Sequence, residues 1–210
     1  MFEIITIIVL ILSIVAHEVA HGYAANWLGD PTARLAGRLS PNPLLHIDPM
    51  GSVIIPGLLF FSGAPFLFGY AKPVPYNPYN LQNQKWGEAI VAAAGPLTNL
   101  LLAVIFATII RFAVPLGLSA GFIEMAWYVV LINVLLAIFN AIPFPPLDGS
   151  KIIVPFLPFG LSYRYQSFVK RLEGMGMMPM FLLLFILIFL FGPFFFALIQ
   201  NVAQFLVFGL

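Results

Sequence analysis

The chain has 210 residues, 61% of them hydrophobic and only 8% charged, with a mean hydropathy of +1.02. That balance excludes an ordinary soluble domain and points to one membrane-embedded unit, because no polar stretch is long enough to form a separate one. The net charge of +1 argues against a nucleic-acid partner, and the absence of cysteine excludes disulfides and thiolate metal ligands.

The N-terminus, Met1-Phe2-Glu3, lacks the positive region of a signal peptide, so the first apolar run, residues 4–28, reads as an integral span. Inside it lies His17-Glu18-Val19-Ala20-His21. Residues four apart share a helix face, so His17 and His21 can point two imidazoles at one ion, with Glu18 beside them to act as base toward a water. Ionisable groups at membrane depth are costly, which marks these three as functional candidates rather than a chance pattern.

Residues 29–88 form a less regular region. Gly29-Asp30-Pro31-Thr32 breaks the helix, and residues 33–40 alternate loosely, as a short strand would. His46, the last of three histidines, could be a further ligand, although a loop histidine bonded to backbone is the preferred reading. Residues 52–70 are apolar but interrupted by Pro56, Gly57, Gly63, Pro65 and Gly69, which suits a re-entrant hairpin better than a clean span. The prolines at 73, 75 and 78 make the next stretch extended.

Residues 89–110 and 122–142 are two further spans. The first contains Gly95-Pro96-Leu97-Thr98-Asn99, a kink with small residues for close helix approach and an intramembrane amide. The second runs into residues 143–149, where three prolines enforce an extended segment that delivers Asp148; a turn aspartate before Gly149 is the ordinary alternative. A polar patch at 163–174 precedes residues 175–210, where Gly192-Pro193 suggests a hairpin of two short spans with lipid-facing phenylalanines. The expected architecture is an all-α polytopic membrane protein of about five transmembrane helices, plus a re-entrant or β-like segment between the first and second spans.

The chain resembles the site-2 protease (peptidase M50) family of intramembrane zinc metalloproteases, in particular its small prokaryotic members without PDZ or CBS domains. The resemblance rests on HEVAHG at 17–22, LGDPTARLAGRLSPNPLLHIDPMG at 28–51, GYAKPVPYNP at 69–78, AAGPLTN at 93–99 and NAIPFPPLDGSK at 140–151, in family order. It implies that His17, His21 and Asp148 bind Zn2+, that Glu18 acts on the water, and that Asn140 helps to hold the substrate backbone. It also implies a membrane-protein substrate, typically single-pass, cut within or near its transmembrane segment. A transporter would show an internal repeat, which is absent, and an inactive relative would have lost Glu18 or a ligand.

Both His17 and Asp148 lie near the C-terminal ends of their spans, so one ion joins them only if those spans end on the same side. With 52–70 re-entrant, Arg34, Arg38, Lys72, Lys85, Lys151, Arg164, Lys170 and Arg171 share that side, and Arg111 alone lies opposite. The positive-inside rule then places the site toward the cytoplasm of a prokaryotic cell membrane, with the N-terminus outside and, in the hairpin scheme, the C-terminus inside.

Overall fold

A computed structural model describes residues 2–54, 57, 58, 61 and 71–209. The described residues form helices and irregular connections, with no strand among them. Four helices are long and apolar enough to cross a membrane: Ile5–Trp27, Gly87–Arg111, Ala120–Asn140 and Leu182–Phe208.

Helix α1 (Phe2–Trp27) carries the two histidines of the motif. It stops where Gly29, at φ 103°, turns the chain into the left-handed region, while the Asp30 amide reaches back to the Ala25 carbonyl. Residues 33–40, expected as a strand, begin instead with a single helical turn, α2 (Thr32–Leu35). Asp30 Oδ1 accepts from both the amide and the hydroxyl of Thr32, opening that turn, and Gly37 at φ 67° closes it. Local side-chain bonding at a turn therefore overrides a weak period-two pattern. A 3-10 turn (Pro43–His46) and a π-helical turn (Pro49–Ile54) follow. The re-entrant segment expected at 52–70 lies largely outside the described residues. Residues 71–77 are irregular, and a 3-10 turn (Pro78–Asn80) ends them.

Helix α3 (Gly87–Arg111) is central and packs against α1, α4 (Ala120–Asn140) and the C-terminal helix. Its Ala103 and Ala107 meet Val130 and Val134 of α4 and Ala203 and Val207 of the C-terminal helix. Small side chains at these crossings let backbones approach, which is how apolar helices gain contact where lipid offers no hydrophobic drive. A short helix α5 (Gly149–Ile152), a 3-10 turn (Val154–Phe156) and the mostly exposed α6 (Phe159–Gly174) lead to α7 (Met177–Phe208).

The hairpin expected at 175–210 is replaced by this one 32-residue helix, with Pro193 inside it. Proline is tolerated in a membrane-spanning helix because neighbouring groups re-satisfy the freed carbonyl, so Gly192-Pro193 need not be a turn. At about 1.5 Å per residue, α7 is about 48 Å long, more than one hydrocarbon core. Arg111 caps its end: Nε donates to the Leu206 and Val207 carbonyls at 2.8 and 3.0 Å, and Nη2 to Phe205 at 3.0 Å. The C-terminal end of α7 therefore lies at the Arg111 end of the bundle, opposite to the side that a hairpin would have given it.

Candidate metal centre

His17 and His21 project from one face of α1, with ring centroids 4.6 Å apart and planes nearly perpendicular at 88°. Asp148 arrives from the far end of the sequence. After α4 ends at Asn140, the segment expected to be extended around its three prolines instead makes successive turns, the amides of Phe144 and Leu147 bonding the Ile142 and Phe144 carbonyls, and α5 starts directly behind the aspartate. A side chain at Gly149 would strike the Ala141 and Ile142 carbonyls, so only glycine lets the chain pass at this point.

The ring nitrogens have fixed roles. His21 Nδ1 lies 2.7 Å from the backbone oxygen of Val91, which can only accept, so Nδ1 carries the proton. His17 Nδ1 lies 2.6 Å from Asn99 Oδ1 and donates likewise. In a neutral ring the lone pair is then on Nε2, and both Nε2 atoms face Asp148 Oδ2, at 3.1 Å from His17 and 3.3 Å from His21. That oxygen is buried without a hydrogen-bond partner. With both rings neutral, three electron pairs converge here, an arrangement that a cation resolves. Ligand atoms on a tetrahedral zinc are about 3.4 Å apart, close to the spacing seen here, and two imidazoles with one carboxylate form a three-ligand set that leaves a position open. Among the described residues, His17, His21 and Asp148 are the one group of this kind that could hold a metal ion. Gly95 of α3 makes room for it: a Cβ there would sit 2.6 Å from atoms of both imidazole rings.

Glu18 points to the same cavity, whose volume is about 180 Å³ and whose walls include Val74, Asn140 and Lys151. Its Oε2 accepts the backbone amide of Val74 at 2.9 Å. The segment carrying Val74 is fastened from several sides. Arg38 Nη2 donates to the Lys72 carbonyl at 2.8 Å and the Pro73 carbonyl at 3.4 Å, and the Lys72 amide donates to the His46 carbonyl. Asp30 Oδ2 accepts the Asn77 amide at 2.7 Å. Residues 30–46 thus act as a brace for the extended segment and, through it, for Glu18.

His46 is buried but stands apart from the metal group, with Nε2 3.0 Å from the Ser40 carbonyl; it is the backbone-bonded loop histidine. Asn140 lines the cavity while its Nδ2 donates to Leu136 within α4. Reading the sequence alone missed Lys151, Tyr76, Asn133 and Ser13. Lys151 Nζ donates to the Tyr76 hydroxyl at 2.9 Å, and Tyr76 reaches Glu88 at 3.4 Å. Burial works to discharge Lys151, but Tyr76, Asp148 and Glu88 outweigh it and hold its pKa above the ordinary value, so a cation stands at the cavity wall. Asn133 and Ser13 were detectable as lone polar residues in apolar spans.

Comparison with known proteins agrees with this geometry. The model of "Peptidase family M50" matches residues 5–120 and 117–187. "Putative zinc metalloprotease YwhC" of Bacillus subtilis is 34% identical over 186 residues, covering 86% of this chain and 79% of that protein. "Putative zinc metalloprotease Rip2" of Mycolicibacterium smegmatis is 29% identical over 155 residues, 70% of this chain and 55% of its own length. "Putative zinc metalloprotease Rip3" of Mycobacterium tuberculosis is 29% identical over 150 residues, and the chain spans only 30% of it. No solved structure matches. With the family pattern covering most of its length and its two histidines and late aspartate brought together, the chain belongs to peptidase family M50.

Proposed function

We propose that the chain is an intramembrane zinc metalloprotease that hydrolyses a peptide bond within or near the transmembrane segment of a single-pass membrane protein. The observation that carries this reading is the meeting of three candidate ligand atoms, from His17, His21 and Asp148, beside a carboxylate that is not part of the set. The names of the relatives support zinc as the ion. Zinc bound there would supply the Lewis acidity that brings a water's pKa toward neutrality.

The remaining work falls to the chain's own groups. Glu18, with one oxygen tied to Val74, keeps its other oxygen available to take the proton of a water in the cavity and later to pass it to the departing amine. Asn140, whose amide both donates and accepts, is placed on the cavity wall to hold an extended substrate backbone. Such a substrate must be unwound first, because a helical carbonyl is already bonded and shielded by side chains. A second cavity of about 550 Å³, bordered by Gln84, Lys85, Glu88 and Tyr165, adjoins the first at Lys151 and is where we propose that water enters. We place the site on the cytoplasmic side, following the crowding of basic residues at that end.

The decisive experiment compares Glu18→Gln with Asp148→Ala in purified protein. Glu18→Gln should retain zinc and lose hydrolysis of a membrane-protein substrate, whereas Asp148→Ala should lose both. Cleavage by Glu18→Gln at the wild-type rate would reject the mechanism, and full zinc in Asp148→Ala would reject the ligand set. Asn140→Leu should keep zinc and cut poorly.

A further inference from the structure

We infer that Asn99, itself oriented by Asn133 and Ser13, is a positioning residue that fixes the proton on His17 Nδ1 and so turns the Nε2 lone pair of His17 toward the metal. The inference rests on the metal reading given above. Asn99 and Asn133 are wholly buried and Ser13 nearly so, at the level where α1, α3 and α4 meet. A primary amide has a donor end and an acceptor end, and which end faces His17 decides the tautomer.

Backbone carbonyls settle both amides. Asn99 Nδ2 lies 3.3 Å from the Ser13 carbonyl and 2.8 Å from Asn133 Oδ1. The carbonyl can only accept, so the NH2 of Asn99 faces it and Oδ1 is the atom turned to His17. Asn133 is fixed in the same way, since its Nδ2 donates to the Val129 carbonyl at 2.9 Å and to Ser13 Oγ at 2.9 Å. Donation therefore runs in one direction, from His17 to Asn99, from Asn99 to Asn133, and from Asn133 to the backbone of α4. No member can turn over without setting two donors or two acceptors against each other in a site that water does not reach.

The two histidines are thus oriented by different means. His21 is set by a main-chain carbonyl, which every side-chain substitution leaves in place. His17 depends on a chain of side chains from three helices. The opposite tautomer would aim an N–H at the ion and contribute no ligand. Partners of this kind typically change metal affinity by about 10–100-fold when removed.

Zinc affinity, measured by chelator competition on purified full-length variants, tests the inference without relying on turnover. Asn99→Leu should weaken zinc binding about 10–100-fold. Asn99→Asp should recover most of it, because one carboxyl oxygen still accepts from His17 and the protonated other oxygen can donate to Asn133. Asn133→Leu touches neither the ion nor His17, but it removes the shorter of the two bonds that orient the Asn99 amide, leaving only the Ser13 carbonyl at 3.3 Å, and should also weaken zinc. If the amides only held the helices together, melting temperatures would fall while zinc affinity stayed at the wild-type level, and the inference would be overturned. Equal loss in Asn99→Asp and Asn99→Leu would overturn it too, and if Asn99→Leu does not fold, Asn99→Asp against Asn133→Leu makes the same comparison. A wild-type protein that binds no zinc would instead reject the metal reading itself, a distinguishable result.

Discussion

Glu18 Oε2 accepts the backbone amide of Val74 across 2.9 Å, a contact between residues 56 apart in sequence. Val74 stands between Pro73 and Pro75, so its N–H is the one donor that this tripeptide has to offer. The proposed base is therefore aimed by the extended segment.

Val74→Pro removes that donor while keeping the extended backbone that the neighbouring prolines favour. A hydrogen bond to a charged group contributes about 1.5–3 kcal/mol, so turnover should fall roughly 10–100-fold with zinc content unchanged. Val74→Ile, which keeps the N–H, should behave as wild type. Unchanged turnover in Val74→Pro would show that the segment does not position Glu18.

Much of the site could be read from the sequence because helical spacing is local. His17, Glu18 and His21 declare their common neighbourhood through positions alone, and the prolines before Asp148 imply a segment that cannot stay helical. What the sequence hid is tertiary. Asn99 was visible as an intramembrane amide, but nothing in the order of residues links it to Asn133 or Ser13, which lie on other helices. Two of the misread elements failed for particular physical reasons. Residues 33–40 alternate weakly, yet Asp30 bonds Thr32 and starts a helical turn. Pro193 breaks helices in water more readily than in a bilayer, where an unravelled backbone has no solvent to bond.

Gly95 offers a steric test of the metal centre. A methyl at this position would sit 2.6 Å from His17 Nε2 and from Cε1 of both rings, and neither imidazole can retreat without leaving its Nδ1 acceptor. Overpacking of this kind costs about 1–3 kcal/mol, so Gly95→Ala should weaken zinc roughly 5–150-fold while the protein still inserts in membranes. Wild-type zinc affinity in Gly95→Ala would mean that α3 does not press on the ligands.

Asp30 gives the fold a pH dependence of known sign. Burial would raise its pKa, but bonds from the Thr32 hydroxyl, the Asn80 amide group and the Asn77 and Thr32 backbone outweigh this and lower it. Its folded value lies below the unfolded one of about 3.9, so the stabilisation is complete above that pH and is lost as pH falls through the folded value. Asp30→Asn should lower the melting temperature at pH 7, by an amount equivalent to about 1.5–3 kcal/mol, because an NH2 group would face the Asn77 amide. The gap between variant and wild type should narrow below about pH 4. A gap constant from pH 7 to pH 3 would show that the ionised carboxylate is not the stabilising form.

The capping of α7 by Arg111 makes the C-terminus a topological marker. Arg111 ends α3, and its guanidinium holds the last carbonyls of α7, so both helix ends face the same aqueous phase. Lys85, Lys151 and Lys170 lie at the other end, around the cavity of His17, Glu18 and Asp148 and its neighbour. If that crowded end is cytoplasmic, the connection after Arg111 and the C-terminus are both external. The chain has no cysteine, so single cysteines can be added without background. A membrane-impermeant maleimide applied to intact cells should label Leu116→Cys and a cysteine appended after Leu210, but not Asn80→Cys. Labelling at position 80 would invert the orientation. Labelling at 116 without labelling at the appended cysteine would break α7 into two crossings and remove the Arg111 cap as the helix's natural end.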